Sequence, residues 1–192
     1  MEDSLTAAKA ALRARVRAQL SQRTLAGRAA ASRALCERLR EQAVWQSARS
    51  VMLFAPLPRE TDVWPLVEEA LASGKTVALP RFSPRSGDYA AAVVRDPAND
   101  LRPGLLGIRE PTERCKAIAL NRLDLVLVPG VAFDARGRRL GRGKGYYDRL
   151  LSDVCGVRCG VAFDEQIVPE VPFGPRDALL NCVVSPSRWL EC

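Results

Sequence analysis

Residues 124–151 read DLVLVPGVAFDARGRRLGRGKGYYDRLL. Apart from Asp124, the run from Leu123 to Pro129 is Leu and Val up to the proline, the pattern of a strand buried on both faces, and Tyr146 to Val154 has the character of a helix. Between them Gly141, Gly143 and Gly145 alternate with Arg142 and Lys144, and Tyr146, Tyr147 and Asp148 follow at once. Strand, glycine-rich loop and helix in that order form a unit of an α/β fold, where ligands collect at the carboxyl ends of strands. A tight turn needs one glycine, whereas three with interleaved cations suit an anion cradle. Glycines let backbone N–H groups approach phosphate oxygens, a helix start adds its positive end, and Arg142 and Lys144 add full charges. Asp148 suits a cation bridging phosphates.

Neither standard phosphate loop fits. A Walker loop requires four residues between its first glycine and Gly-Lys, followed by Ser or Thr; here Gly137 precedes Gly143 by too much, and Lys144 is followed by Gly145. In the dinucleotide pattern G-x-G-x-x-G the third glycine would have to come one residue later. An ordinary ATPase or dehydrogenase is therefore not implied.

Upstream, SVMLFA from Ser50 and TVALP from Thr76 read as strands, with a helix from Pro65 to Ala72 between them and Gly74 just past its end. DYAAAVV (88–94) reads as a solvent-facing strand, and residues 95–116 as loop-rich. Downstream, RCGVAF and NCVVS close the sheet. Two helices open the chain. Leu5, Ala8, Leu12, Val16 and Leu20 mark one helix face, with Lys9, Arg13 and Arg17 four apart along its edge; a second helix spans Thr24 to Glu41, capped by Ser21 or Thr24. The expected fold is a single α/β domain over residues 1–192, with a largely parallel central sheet flanked by helices and two N-terminal helices.

The chain has 192 residues and no histidine, which removes the commonest general base and with it Ser-His-Asp and Cys-His chemistry. The six cysteines include no Cys-x-x-Cys pair, so reduced thiols are expected rather than a zinc site. No apolar run approaches the ~20 residues that span a bilayer, and no secretory signal is visible, so a cytoplasmic protein without membrane contact is expected. Net charge is +7, of which +6 belongs to residues 1–49, with ten Lys/Arg against four Asp/Glu. Such a patch suits a phosphorylated or polycarboxylate ligand, acidic lipid or nucleic acid.

The stretch 124–151 closely resembles the signature of the 5-formyltetrahydrofolate cyclo-ligase (methenyltetrahydrofolate synthetase) family. Further similarity runs through KAALR (9–13), PLPRETD (56–62), LPR (79–81) and PGLLGIREP (103–111), in the family's order and over nearly the whole chain. The resemblance implies a single-domain α/β enzyme that converts ATP and 5-formyltetrahydrofolate into ADP, phosphate and 5,10-methenyltetrahydrofolate with Mg²⁺, and a monomer is expected. It further implies phosphorylation of the formyl oxygen, closure of N10 onto the activated carbon and departure of phosphate.

Residue by residue, the resemblance makes Lys9 and Arg13 nucleotide contacts, and Arg139, Leu140, Gly141, Arg142, Gly143, Lys144, Gly145, Tyr146 and Tyr147 the wall around the triphosphate. Arg142 and Lys144 would stabilise charge on the transferred phosphoryl group. Ala55, Glu60 and Tyr146 would contact the folate, one of Tyr146 and Tyr147 stacking on its ring while the other packs the helix. Asp148 would be the magnesium ligand and Asp177 a second one. In GPRDALLNCVVS (174–185) the family pattern is broken, Arg176 standing for a histidine and Asn181 for an acid. The competing expectation is a non-catalytic relative that binds nucleic acid through the basic N-terminal helices.

Overall fold

Among the residues described by the computed structural model (2–85, 87–104 and 107–192), three helices precede the first strand: α1 (Glu2–Ser21), α2 (Leu25–Arg40) and α3 (Ala43–Ser47). Leu105 and Leu106 of the PGLLGIREP motif lie outside the described residues. Of the two expected caps for α2, Thr24 serves, its hydroxyl accepting from Gly27 N at 3.0 Å. The third helix is only five residues long, too short for periodicity to reveal, and is anchored by the buried Trp45.

The chain continues as β1 (Ser50–Met52), α4 (Trp64–Ala72), β2 (Thr76–Ser83), β3 (Asp88–Val94), α5 (Pro97–Asp100), β4 (Leu101–Pro103), β5 (Arg109–Pro111) and β6 (Ala117–Ile118). It closes with β7 (Leu125–Pro129), β8 (Ala132–Phe133), β9 (Arg139–Leu140), α6 (Tyr146–Ser152), β10 (Val157–Val161), β11 (Cys182–Val184) and β12 (Trp189–Glu191). The main sheet has the order β12-β11-β10-β7-β1-β2-β3-β6. From β11 to β2 all neighbours are parallel, whereas β12, β3 and β6 pair antiparallel at the two sides. The short connections before β3 and β12 explain the reversal, because a parallel return needs a crossover of a dozen or more residues.

Alternation along the strands divides the core. Val51, Val77, Leu79, Leu125 and Leu127 face α2, α3 and α4, while Met52, Ala78, Val126 and Val128 face Leu150 and Leu151 of α6. Each large side chain so buried contributes about 1.5–3 kcal/mol. The expectation of a solvent-facing strand at 88–94 is corrected. Ala91, Ala92 and Val94 are buried because β6 covers the outer edge of β3, with Ala91 in the core on the α6 side and Val94 in that on the α4 side.

Helix α1 sits on neither face. Its Leu12 and Val16 pack on Val131, Ala132 and Leu140 of the small β8–β9 hairpin, and on Val168 and Val171. The hairpin, unforeseen in the sequence, thus ties the N-terminal helix to the glycine loop that leaves β9. The chain moves from β1 to β2 on one side and later enters β7 on the other, which makes the carboxyl ends of β1 and β7 a topological switch point.

Candidate active site

A cavity of about 340 Å³ opens at that switch point. Phe54 and Ala55 reach it from the end of β1, Pro129 and Gly130 from the end of β7, and Arg142, Lys144 and Tyr146 from the glycine loop and the start of α6. Its volume lies in the range of small-molecule sites.

The glycine loop is shaped by backbone demands. Gly143 and Gly145 have φ of +112° and +67°, conformations that side chains disfavour, and Gly145 is the residue from which α6 starts. At Gly141 the reason is contact: a β-carbon there would lie 2.9 Å from Nη1 of Arg139. The backbone bends through residues 142–144, and Arg142 and Lys144 line the cavity.

Glu60 stands in the loop between β1 and α4. Asp62, not Glu60, serves the helix start, its Oδ1 accepting from Trp64 N at 2.9 Å. Glu60 instead turns toward the cavity, where Oε1 accepts from Arg142 Nη2 at 2.6 Å and Nε at 3.2 Å, and Oε2 accepts from Leu57 N at 2.9 Å. Residues 82 positions apart in sequence, assigned to folate and to phosphate respectively, therefore meet.

Behind the loop, the Arg139 side chain is 3% exposed and its Nη2 donates to Asp148 Oδ1 at 2.7 Å. Its Nη1 donates to the Pro129 carbonyl at 3.3 Å, joining the end of β7 to the first turn of α6. Asp148 makes no other hydrogen bond among the described residues, which leaves its second oxygen available at the cavity wall.

The two tyrosines part company. Tyr146 forms edge-on contacts with Phe82 of β2 and Tyr89 of β3 at centroid distances of 5.8 and 5.1 Å, with Lys144 Nζ 5.9 Å from its ring. Tyr147 packs on the α6-side core beneath Arg139, and burial, then the charge of Glu60, drives its phenol well above the usual range. Phe82, Tyr89 and Arg109 all line the cavity and were missed in the sequence. They come from β2, β3 and β5, and only strand pairing brings them there.

Lys9, Arg13, Leu140, Gly143 and Asp177 stand outside the cavity lining. Arg13 Nε donates to the Gly141 carbonyl at 2.8 Å, and a β-carbon on Gly143 would lie 3.8 Å from its guanidinium, so α1 reaches the glycine loop directly. Lys9 Nζ donates to both oxygens of Asp177, at 2.7 and 2.5 Å, and Gly174 N also bonds that carboxylate. Leu140 is buried beneath α1 and contributes position. Asp148 and Asp177 thus belong to two different ion pairs.

Much of the N-terminal charge is spent internally. Arg23 pairs with Glu165, Arg40 with Glu69, and Arg38 donates to the Pro186 carbonyl, besides Lys9 and Arg13. No described helix is long and apolar enough to cross a membrane, and all six cysteines are unbridged.

The profile of the 5-formyltetrahydrofolate cyclo-ligase family matches residues 5–186. The chain belongs to this family. The Escherichia coli (strain K12) 5-formyltetrahydrofolate cyclo-ligase is 36% identical over 148 residues, covering 75% of this chain and 81% of that protein. The Mus musculus 5-formyltetrahydrofolate cyclo-ligase is 27% identical over 197 residues, covering 94% and 95%. Among solved structures, the Aquifex aeolicus 5,10-methenyltetrahydrofolate synthetase superposes with a TM-score of 0.85 at 32% identity, over 95% of this chain and 92% of that one. Membership of a cyclo-ligase family makes the chain an enzyme of the ligase class.

The magnesium expectation can be tested against the residues present. Among the described residues no three metal-binding side chains cluster. Mg²⁺ usually keeps several waters and needs one or two carboxylates besides substrate phosphates. Asp148, with one oxygen free at the cavity beside Arg139, fits that modest demand.

Proposed function

We propose that this chain, acting as one domain, cyclises 5-formyltetrahydrofolate to 5,10-methenyltetrahydrofolate at the expense of ATP. The observation that carries the reading is the meeting of Glu60 and Arg142 in one cavity, 2.6 Å apart, because it puts a carboxylate for N–H donors beside a cation for phosphate. Family membership supplies the substrates.

Glu60 accepts hydrogen bonds from the N–H donors of the amino-pterin ring, and Tyr146 with Phe82 and Tyr89 offers aromatic surface to it. Ala55, small and at the end of β1, leaves room beside Glu60. The glycine loop, Arg13 and Lys9 hold the nucleotide, with Arg142 and Lys144 on the phosphoryl group in transfer. Mg²⁺, when bound at Asp148 with the nucleotide, neutralises phosphate charge. Arg139 fixes the orientation of Asp148, and Asp177 that of Lys9.

In the reaction the formyl oxygen bonds to the γ-phosphorus as the bond to ADP breaks. N10 then bonds to the formyl carbon, the C–O bond breaks with release of phosphate, and N10 gives up its proton. An amide-like formyl group is a poor electrophile, and phosphorylation makes its oxygen a leaving group. The enzyme's share is positioning and charge neutralisation, which requires no histidine. A cytoplasmic setting matches the substrates and the unbridged thiols.

Mixing the protein with 5-formyltetrahydrofolate, Mg²⁺ and ATP should produce the methenyl-folate absorbance, together with ADP. Folded protein that yields no such signal would refute the proposal.

A further inference from the structure

Four cations line the cavity: Arg109, Arg139, Arg142 and Lys144. Arg139 is paired with Asp148 and Arg142 with Glu60. Among the described residues Arg109 and Lys144 have no acidic partner, and they stand on different sides of the sheet's carboxyl end. Lys144 lies over Tyr146 at the start of α6, on the face where Leu150 and Leu151 pack. Arg109, on β5, lies with its guanidinium carbon 4.3 Å from the ring centroid of Trp64, the first residue of α4, which packs on the opposite face.

The stacking decides what Arg109 can do. The indole lies against the guanidinium, its carbon 4.3 Å from the ring centroid, and with no acidic partner among the described residues the group keeps N–H donors able to take a carboxylate by two parallel bonds. Trp64 is itself held, packed on the core with its backbone N–H bonded to Asp62. The rotamer entropy of a long side chain is thus largely surrendered before a ligand arrives, which favours binding.

We infer that Arg109, stacked on Trp64, is the specificity residue for the glutamate carboxylates of the folate tail, an inference that rests on the cyclo-ligase reading above. The formyl group to be phosphorylated belongs to the pterin end, which must lie at Glu60 and the glycine loop. The benzoyl-glutamate end then points away from Lys144, toward the remaining unpaired cation. The carboxylate is chemically what that cation lacks.

The test compares 5-formyltetrahydrofolate with 5-formyltetrahydropteroate, identical at the reacting end but without the glutamate. The natural protein should show the lower KM for the tailed substrate, with similar kcat for both. Arg109→Met, which keeps the stem, should raise KM for the tailed substrate about tenfold, to the value of the tail-less one, as loss of a charged hydrogen-bonded pair predicts. It should leave kcat, the KM for ATP and both constants for the tail-less substrate unmoved, and Arg109→Lys should restore part of the difference. Equal losses on both substrates, a raised KM for ATP, or a natural protein indifferent to the tail would each overturn the inference while the cyclo-ligase reading stands. Absence of turnover with either substrate would overturn both together.

Discussion

Arg142 and Glu60 occupy one another: Oε1 of the glutamate takes both Nη2 and Nε of the arginine, at 2.6 and 3.2 Å. With Oε2 held by Leu57 N, the carboxylate has little left for a pterin, while the guanidinium has turned Nε and Nη2, its two-donor edge, to the glutamate. Phosphates arriving at Arg142 would release Glu60, so each ligand favours the other. A non-hydrolysable ATP analogue should tighten 5-formyltetrahydrofolate binding by severalfold in calorimetric titration, and the folate should tighten the analogue by the same factor. In Arg142→Gln the coupling should vanish and turnover fall by about 10²–10³-fold. Independent binding of the two ligands by the natural protein would contradict this account.

Asp148 compensates a guanidinium that is 3% exposed, which makes it a folding residue besides the metal-binding role proposed for it. Asp148→Ala should lower unfolding free energy by about 3 kcal/mol, the cost of stranding a buried charge. Asp148→Asn keeps an acceptor for Arg139 and should cost less, while still weakening the dependence of turnover on Mg²⁺. Urea midpoints beside Mg²⁺ titrations separate the two roles.

Leu12 lies outside the cavity lining, yet it should govern nucleotide affinity. It is 6% exposed in the contact that docks α1, the bearer of Lys9 and Arg13, on the β8–β9 hairpin. Leu12→Ala should cost about 2–4 kcal/mol of stability and raise the KM for ATP more than that for the folate. Equal increases in both would count against this division of labour.

Alkali should unfold the protein partly through Cys36. Burial, against the opposing charge of Arg40 and with help from Asp62, Glu69 and Glu37, pushes its thiol from 9.0 to about 11. The folded chain therefore keeps a proton that the unfolded chain gives up, and stability falls as pH rises. This contribution is complete below pH 9 and lost as pH climbs through about 11. Cys36→Ala should show a shallower fall in urea midpoint between those values; an unchanged slope would count against it.

What the sequence made legible was local. Continuous Leu and Val at 125–128 marked a central strand, and the spacing of Leu12 and Val16 marked the buried face of α1. The glycine loop stood out although it matches neither standard phosphate loop, and positive φ at Gly143 and Gly145 restricts which residues can stand there. The illegible part depended on pairing. Phe82 and Tyr89 look like ordinary strand residues until the antiparallel register sets them opposite one another, and Arg109 looks like a loop cation until Trp64 is beneath it. Asp148 drew attention by its place after the glycine cluster, but nothing in the sequence said that Arg139 would be buried against it.

The docking of α1 has a consequence for synthesis on the ribosome. The helix leaves the exit tunnel ahead of every strand, but the surface it covers includes Leu140, Val168 and Val171, and the partner of Lys9 is 168 residues later. Until that late segment emerges, an early-made amphipathic helix has nowhere to bury Leu12 and Val16. The docking of α1 is therefore completed late, and a nascent chain stalled before residue 168 would carry Lys9 and Arg13 without the full surface that places them.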